Sequence, residues 1–412
     1  MAALALQAWL SEYVWEEAPE ETAEVAALPE AIDAAIADGD LAEATLPLLR
    51  WATYRPLTAL PAADWLVARP LEAIPPVLRV LWQRTLHAPR EEAVLRAALP
   101  AFGEITDATS RAVRSQYEEN PYPRWLRLSG RRMSVLERHR AYDPNFTWPA
   151  TFLHPLQILV AGCGTGLHAL DVAAENPDAE VLGIDLSASS LAYGQRMARE
   201  LGIGNIRFMQ MDLLHLPNWG RQFHHVECIG VLHHLRDQRA AWQAVTAALH
   251  PGGTLSVAVY SKVAWLPVTG LRARIAREAV PATSAAMRAF RARLLREPDS
   301  LALLGGGQGG LRCLSMVRDM LFHVHAHPYT LTEVEQEATA CGLGLLGYQV
   351  PPRLGQGAAV SPGPPTFAQW RALEPAYTGS MRMFYCTFQR PESGDSPPQT
   401  GATGAEGTGD SG

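Results

Sequence analysis

Three glycines alternate in Val160-Ala161-Gly162-Cys163-Gly164-Thr165-Gly166, directly after the apolar run Gln157–Ala161. Glycine here permits positive φ and lets a ligand approach the backbone without a Cβ in the way. A helix opening after such a loop presents free N–H groups. Asp185 lies 23 residues beyond Gly162, at the end of the next apolar run. A carboxylate at that place can accept both ribose hydroxyls of an adenosine. Asp212 ends a third run, within reach of an adenine amino group. The chemistry these residues suit is the binding of an adenosine-containing cofactor. The spacing is GxGxG rather than GxGxxG, which tilts the choice away from nicotinamide dinucleotides.

The elements that must position these residues alternate between β and α. The runs 157–161, 180–184, 205–210, 226–229 and 254–260 read as strands, with helices over 166–175, 187–202 and 237–249 between them. Such alternation predicts a parallel, doubly wound sheet with its ligand site at the carboxyl ends of the strands. The pattern resumes with a helix at 331–341 and strands near 345–350 and 383–388. Upstream, residues 1–45 carry eleven acidic residues and no basic one, with apolar positions at helical spacing. Prolines break 55–76, helical patterning returns from Val77 to Gln116, and no 34-residue repeat is present. The expected division is a helical N-terminal region (1–116), a strap or lid (117–150), an α/β domain (151–390) with a helical insertion (261–328), and a disordered tail (391–412). The strap is locally basic: residues 111–140 hold eight arginines against three glutamates. Residues 305–310 and 351–365 read as loops, and the arginines between 272 and 296 as a solvated helix face.

Composition removes several classes of function. The chain has 412 residues, 48% of them hydrophobic, enough for ordinary cores. A formal net charge of −7 argues against nucleic acid as the main partner. A single lysine, Lys262, stands against 34 arginines, and none follows a GxxxxG loop, so P-loop chemistry is excluded. Five scattered cysteines without a CxxC support neither a disulfide framework nor a zinc ribbon. No run of 18 apolar residues and no secretory signal is found, so a cytoplasmic protein is expected.

The glycine loop with Ile158-Leu159 before it, Gly183-Ile184-Asp185-Leu186-Ser187, Met211-Asp212-Leu213, Val231-Leu232-His233-His234-Leu235 and Leu249-His250-Pro251-Gly252-Gly253 occur in one order. Together they resemble the class I S-adenosylmethionine-dependent methyltransferases. More narrowly, Gln116–Trp125, the helix Leu4–Trp15 and Arg318–Val350 resemble a bacterial group (type 11/12-like) often found beside tetratricopeptide repeats. The resemblance implies a Rossmann-like, seven-stranded sheet with an antiparallel last strand. It implies S-adenosyl-L-methionine held by Gly162, Cys163, Gly164, Thr165, Gly166, Asp185, Leu186, Asp212, Leu213 and Gly230. Family members usually carry an acid two residues before the first glycine; here that residue is Val160. Arg124 and Tyr122 are the expected substitutes at the methionyl end. The acid common before the fourth strand is replaced by His224.

The implied reaction is in-line methyl transfer to an O-, N- or C-nucleophile of a small molecule or protein side chain. A general base is needed only for a protonated nucleophile. His233 and His234, just past the fourth strand, and Tyr117 are the expected catalytic groups, with Asn120 and Tyr122 closing over the cofactor. Capping or packing is the competing role for each. The absence of Asn/Asp-Pro-Pro-aromatic after the fourth strand argues against methylation of exocyclic amines. Cys228 lies within a strand and reads as a buried thiol. His323, His325 and His327 have strand-like spacing in a helix-end context, so no metal site is expected. A non-catalytic cofactor-binding scaffold and, further off, an NAD-dependent oxidoreductase are the alternatives.

Overall fold

A strand covered on both faces needs near-continuous apolar sequence, and Ile158–Ala161 meets that demand with every residue at most 2% exposed. The computed structural model describes residues 1–37, 39, 41–130, 133–297, 311–349, 365–378 and 383–392. Its sheet has eight strands: β1 (Ala101–Phe102), β2 (Gln157–Ala161), β3 (Glu180–Asp185), β4 (Ile206–Met211), β5 (Phe223–Ile229), β6 (Leu249–Tyr260), β7 (Gly344–Tyr348) and β8 (Met383–Gln389). Their order is β1-β4-β3-β2-β5-β6-β8-β7. All neighbours are parallel except β8, which runs antiparallel to both β6 and β7.

From β2 the chain moves outward to β3 and β4, then returns to β5 on the other side of β2. The gap between β2 and β5 is therefore the topological switch point, where open α/β sheets bind ligands. Helix Ala188–Leu201 begins on Ser187, whose hydroxyl accepts the Ser190 N–H at 3.0 Å, and ends on left-handed Gly202. Helix Gln238–Ala247 is capped by Asp237, which accepts the Ala240 N–H at 2.9 Å.

The expected seven strands become eight because of β1. Two residues are too short to show any alternation. Ala101 and Phe102 join the sheet edge opposite Gln210 and Met211, interrupting what the sequence presents as one helical stretch. Loop 305–310 and nearly all of 351–365 and 391–412 lie outside the described residues.

Upstream of the sheet, helices Ala2–Leu10, Pro19–Ile36 and Leu41–Tyr54 and several shorter ones enclose their own core around Ile32, Leu48, Leu66 and Trp82. The segment after helix Ala108–Glu119 lies on the glycine loop. There the Trp125 indole N–H donates to the Thr165 carbonyl at 3.3 Å, and the Thr165 hydroxyl to the Pro123 carbonyl at 2.6 Å.

Helices Lys262–Arg277 and Ser284–Arg296 form the insertion. Its arginines are not one solvated face. Arg274, Arg293 and Arg296 do pair with surface glutamates. Arg288 and Arg291 turn inward and donate to the backbone carbonyls of Glu12, Tyr13, Val14 and Leu311. A guanidinium has five donors and no acceptor, so it can gather several carbonyls at once. Residues 12–14 are thereby tied to the insertion.

Candidate functional site

The glycine loop lies at the switch point with φ of +71° at Gly162, +53° at Gly164 and +81° at Gly166. A Cβ on Gly162 would come 2.3 Å from Val231 Cγ2, and one on Gly164 2.7 Å from the Tyr122 carbonyl oxygen. Neither position can carry a side chain. Asp185 holds the loop in place: its Oδ2 accepts the Gly164 N–H at 2.8 Å and its Oδ1 the Ser187 N–H at 2.9 Å. Each carboxylate oxygen keeps a lone pair for a ligand hydroxyl. Burial pushes the Asp185 carboxyl above its usual value, against the pull of those two amides. Asp212 is buried and caps the turn after β4 by accepting the Leu214 N–H at 3.0 Å.

These groups open on a cavity of about 910 Å³. Six aspartates line it (Asp107, Asp171, Asp185, Asp212, Asp237 and Asp319), against one guanidinium, Arg236. Of the residues expected at the site, Tyr117, Gly162, Cys163, Gly164, Asp185, Leu186, Asp212, Leu213, Gly230 and His234 line the cavity, as does Tyr122.

Thr165, Gly166 and His233 do not. Thr165 is fully buried and spends its hydroxyl on Pro123. Gly166 permits the close approach of Gly194, where a Cβ would meet the Gly194 Cα at 3.1 Å. His233 is fully buried, stacks on Tyr260 at 3.6 Å and accepts the Tyr260 N–H at 3.2 Å. Asn120 and Arg124 are also turned elsewhere. The Asn120 amide donates to Gln116, and Arg124 donates to the Trp9 carbonyl at 3.0 Å. Arg124 is thus engaged with the N-terminal helix rather than with the methionyl end.

His234 donates Nδ1–H to the His325 carbonyl at 2.8 Å. That bond fixes the tautomer and leaves Nε2 unprotonated. Burial lowers the His234 pKa, with Asp319 pulling the other way. Asp319 Oδ1 stands 3.9 Å from Nε2. The same carboxylate accepts the Tyr117 hydroxyl at 2.5 Å and the Tyr260 hydroxyl at 2.9 Å. His323 stacks on His234 at 3.7 Å. Neither Asp319 nor Tyr260 was assigned a site role from the sequence, although Asp319 lies within the resembling segment Arg318–Val350. The one signal was an acid placed inside the apolar stretch Leu314–Phe322.

On another wall, Val160 pairs in register with Glu227 of β5, so both side chains emerge on one face. Glu227 is fully buried and bound by Arg138, His168 and, at 3.2 Å, His225. Burial pushes its carboxyl up, yet His168 and Arg138 carry it well below the usual range. An acid at 160 would face this one. His168 lines the cavity beside Val160.

A doubly wound sheet with a side-chain-free loop at its switch point and a carboxylate on the next strand defines a nucleotide-cofactor domain. Residues 158–253 match the family model described as a methyltransferase domain. An uncharacterised protein of Synechococcus sp. is 29% identical over 191 residues, covering 44% of this chain and 44% of that protein. The ubiquinone biosynthesis O-methyltransferase of Erwinia tasmaniensis is 30% identical over 134 residues, covering 32% and 53% respectively. The structure of PKMT2 from Rickettsia typhi in complex with AdoHcy aligns with a TM-score of 0.46 at 18% identity, over 63% of this chain and 54% of that one. The chain spans about half the length or less of these curated relatives. No described helix is long and apolar enough to cross a membrane.

Proposed function

We propose that the chain is an S-adenosylmethionine-dependent methyltransferase acting on a small molecule or a protein side chain. The observation that carries this reading is the contact between Gly164 and Asp185 in the lining of the cavity. The loop cannot carry Cβ atoms, and the acid that steadies it retains capacity for a ribose diol. Gly162, Cys163, Gly164 and Gly230 would offer backbone to the cofactor, with Asp185 and Leu186 at the ribose and Asp212 and Leu213 at the adenine. His168, held by Glu227, would stand at the methionyl end where Val160 supplies no acid. When bound, the cofactor supplies a sulfonium methyl group whose C–S electron pair returns to sulfur on transfer. The chain's own work is to position the nucleophile, exclude water and receive a proton. His234, which lines the cavity with its Nδ1 proton spent on His325, would act as the base through Nε2, and Asp319 beside it would stabilise the imidazolium.

Calorimetric titration of the full chain with S-adenosylmethionine tests the reading. One saturable site is expected. Asp185→Ala should weaken binding by roughly 10–100-fold, because a hydroxyl pair loses a charged acceptor. Saturable NAD binding in place of S-adenosylmethionine, or no binding at all, overturns it. Formation of S-adenosylhomocysteine in cell extract separates an enzyme from a cofactor-binding scaffold.

A further inference from the structure

We propose that the end of the cavity framed by Tyr117, Tyr122, Tyr260, His234 and Asp319 is the acceptor subsite, and that it takes an aliphatic amine arriving as its ammonium. The inference rests on the methyltransferase reading and names the substrate class for that site. None of the five motifs from the glycine loop to Pro251-Gly252-Gly253 includes Asp319, Tyr122 or Tyr260.

The first argument is the distribution of protons. Tyr117 and Tyr260 each spend their single proton on Asp319. Burial and that carboxylate keep both phenols well above their usual pKa, so they remain neutral donors. The ring proton of His234 is spent on the His325 carbonyl. What faces the ligand is an imidazole lone pair and a carboxylate oxygen 3.9 Å apart. The His234 lone pair and the half-buried Asp319 carboxylate are close enough to share the protons of one ligand donor. A hydroxyl brings one proton and a carboxylate none. An ammonium brings three and satisfies both acceptors while keeping one in reserve.

The second argument is charge. Six aspartates against Arg236 make the cavity unfavourable for an anionic acceptor. Arg272 lies near enough for its charge to act on Asp319, but it does not line the cavity and donates to the Met320 and His323 carbonyls. Three phenol rings line this end of the cavity, and aromatic faces attract cations. The nitrogen must shed a proton before it can bond to carbon. His234 Nε2 receives that proton and passes it to solvent.

A divalent metal is the competing occupant, since ligand atoms of His234, Asp319 and His323 lie within 4.8 Å of one another. Ring geometry disfavours it. His323 Nδ1 accepts the His325 N–H at 3.1 Å, so its proton sits on Nε2 and no lone pair is left for an ion. The two imidazoles also stack at an interplanar angle of 25°, which keeps their in-plane lone pairs from converging on one point.

The test uses the full chain saturated with S-adenosylhomocysteine and titrated with n-butylammonium, n-butanol and butyrate, three probes of one size. Butylammonium should bind at least about tenfold more tightly than butanol, with butyrate weakest. Asp319→Asn should abolish that preference while changing S-adenosylhomocysteine affinity by less than about twofold, since the carboxylate is assigned to the acceptor. His234→Gln, a second variant that keeps the Asp319 charge, should retain the preference. Equal or tighter binding of butanol or butyrate, no binding of any probe, or an undiminished preference in Asp319→Asn overturns the proposal. So does stoichiometric Zn²⁺ uptake that blocks butylammonium. Repeating the series without cofactor keeps the two readings apart, because failure to bind S-adenosylhomocysteine counts against the methyltransferase reading alone.

Discussion

Two carboxylates, Glu227 fully buried behind the cavity wall and Asp319 half-buried in its lining, are treated in opposite ways. Glu227 is met by the guanidinium of Arg138 and by two imidazoles. Asp319 is met by two neutral phenols and stands beside a neutral imidazole. The first charge is balanced within the protein. The second is hydrogen-bonded but not neutralised by those partners, so a bound cation gains from it. A buried acid met by cations fixes structure, whereas a half-buried one whose hydrogen bonds come from phenols is available for recognition.

The largest effect should come from breaking the balanced pair. Glu227→Gln leaves the half-buried Arg138 without its counter-charge and should cost about 3 kcal/mol in denaturant unfolding. The parallel swap, Asp319→Asn, removes no ion pair and should cost only about 1 kcal/mol. Comparable losses in the two variants would erase the distinction.

Val160→Glu comes next. It restores the acid usual in the resembling family, yet places it opposite Glu227 in the β2–β5 register. Like charges in a buried site predict a loss of about 2–3 kcal/mol and no gain in cofactor affinity. A stable variant with tighter cofactor binding would show that Glu227 does not oppose an acid at position 160.

The smallest effect concerns acid. Burial pushes the His323 pKa down to about 3. The folded protein keeps this ring neutral while the unfolded chain protonates it below about pH 6.5. Its contribution is complete above that value and is lost at roughly 1.4 kcal/mol per pH unit as the pH falls towards 3. His323→Phe should flatten the stability profile between pH 6 and 5 by about that slope. His139, His225, His233 and His234 are also lowered by burial and add to the wild-type slope. The Glu227 carboxyl, held well below its usual range, loses its contribution mainly below the unfolded glutamate value of about 4.3 and so adds little in that window. An unchanged slope in His323→Phe would remove this ring from the account.

The sheet was legible because buried strands advertise themselves as apolar runs closed by turns. Gln157–Ala161 and Glu180–Asp185 stand where the sequence puts them, and so does the glycine loop between the first of these and its helix. β1 left no trace, since two residues have no period. Within the loop the sequence could not separate ligand contact from packing. Gly164 faces the cavity and Gly166 faces Gly194, although the same conformational demand selects both. His233 and His234 are neighbours in sequence, yet only the second lines the cavity. Asp319 reaches Tyr117 across 202 residues of chain. A contact made at that separation imposes no local spacing, so no motif announces it. The inward arginines were misread for a related reason. Their acceptors are backbone carbonyls, which any sequence provides.

The clasp of Arg288 on the Tyr13 carbonyl joins positions 275 residues apart. At about 5–20 residues per second of synthesis, roughly 14–55 s pass between the emergence of the two ends. Through that interval residues 12–14 exist without the guanidinium groups that receive their carbonyls. The segment made early is therefore among the late arrivals in the native assembly, and its docking reports that the insertion has closed.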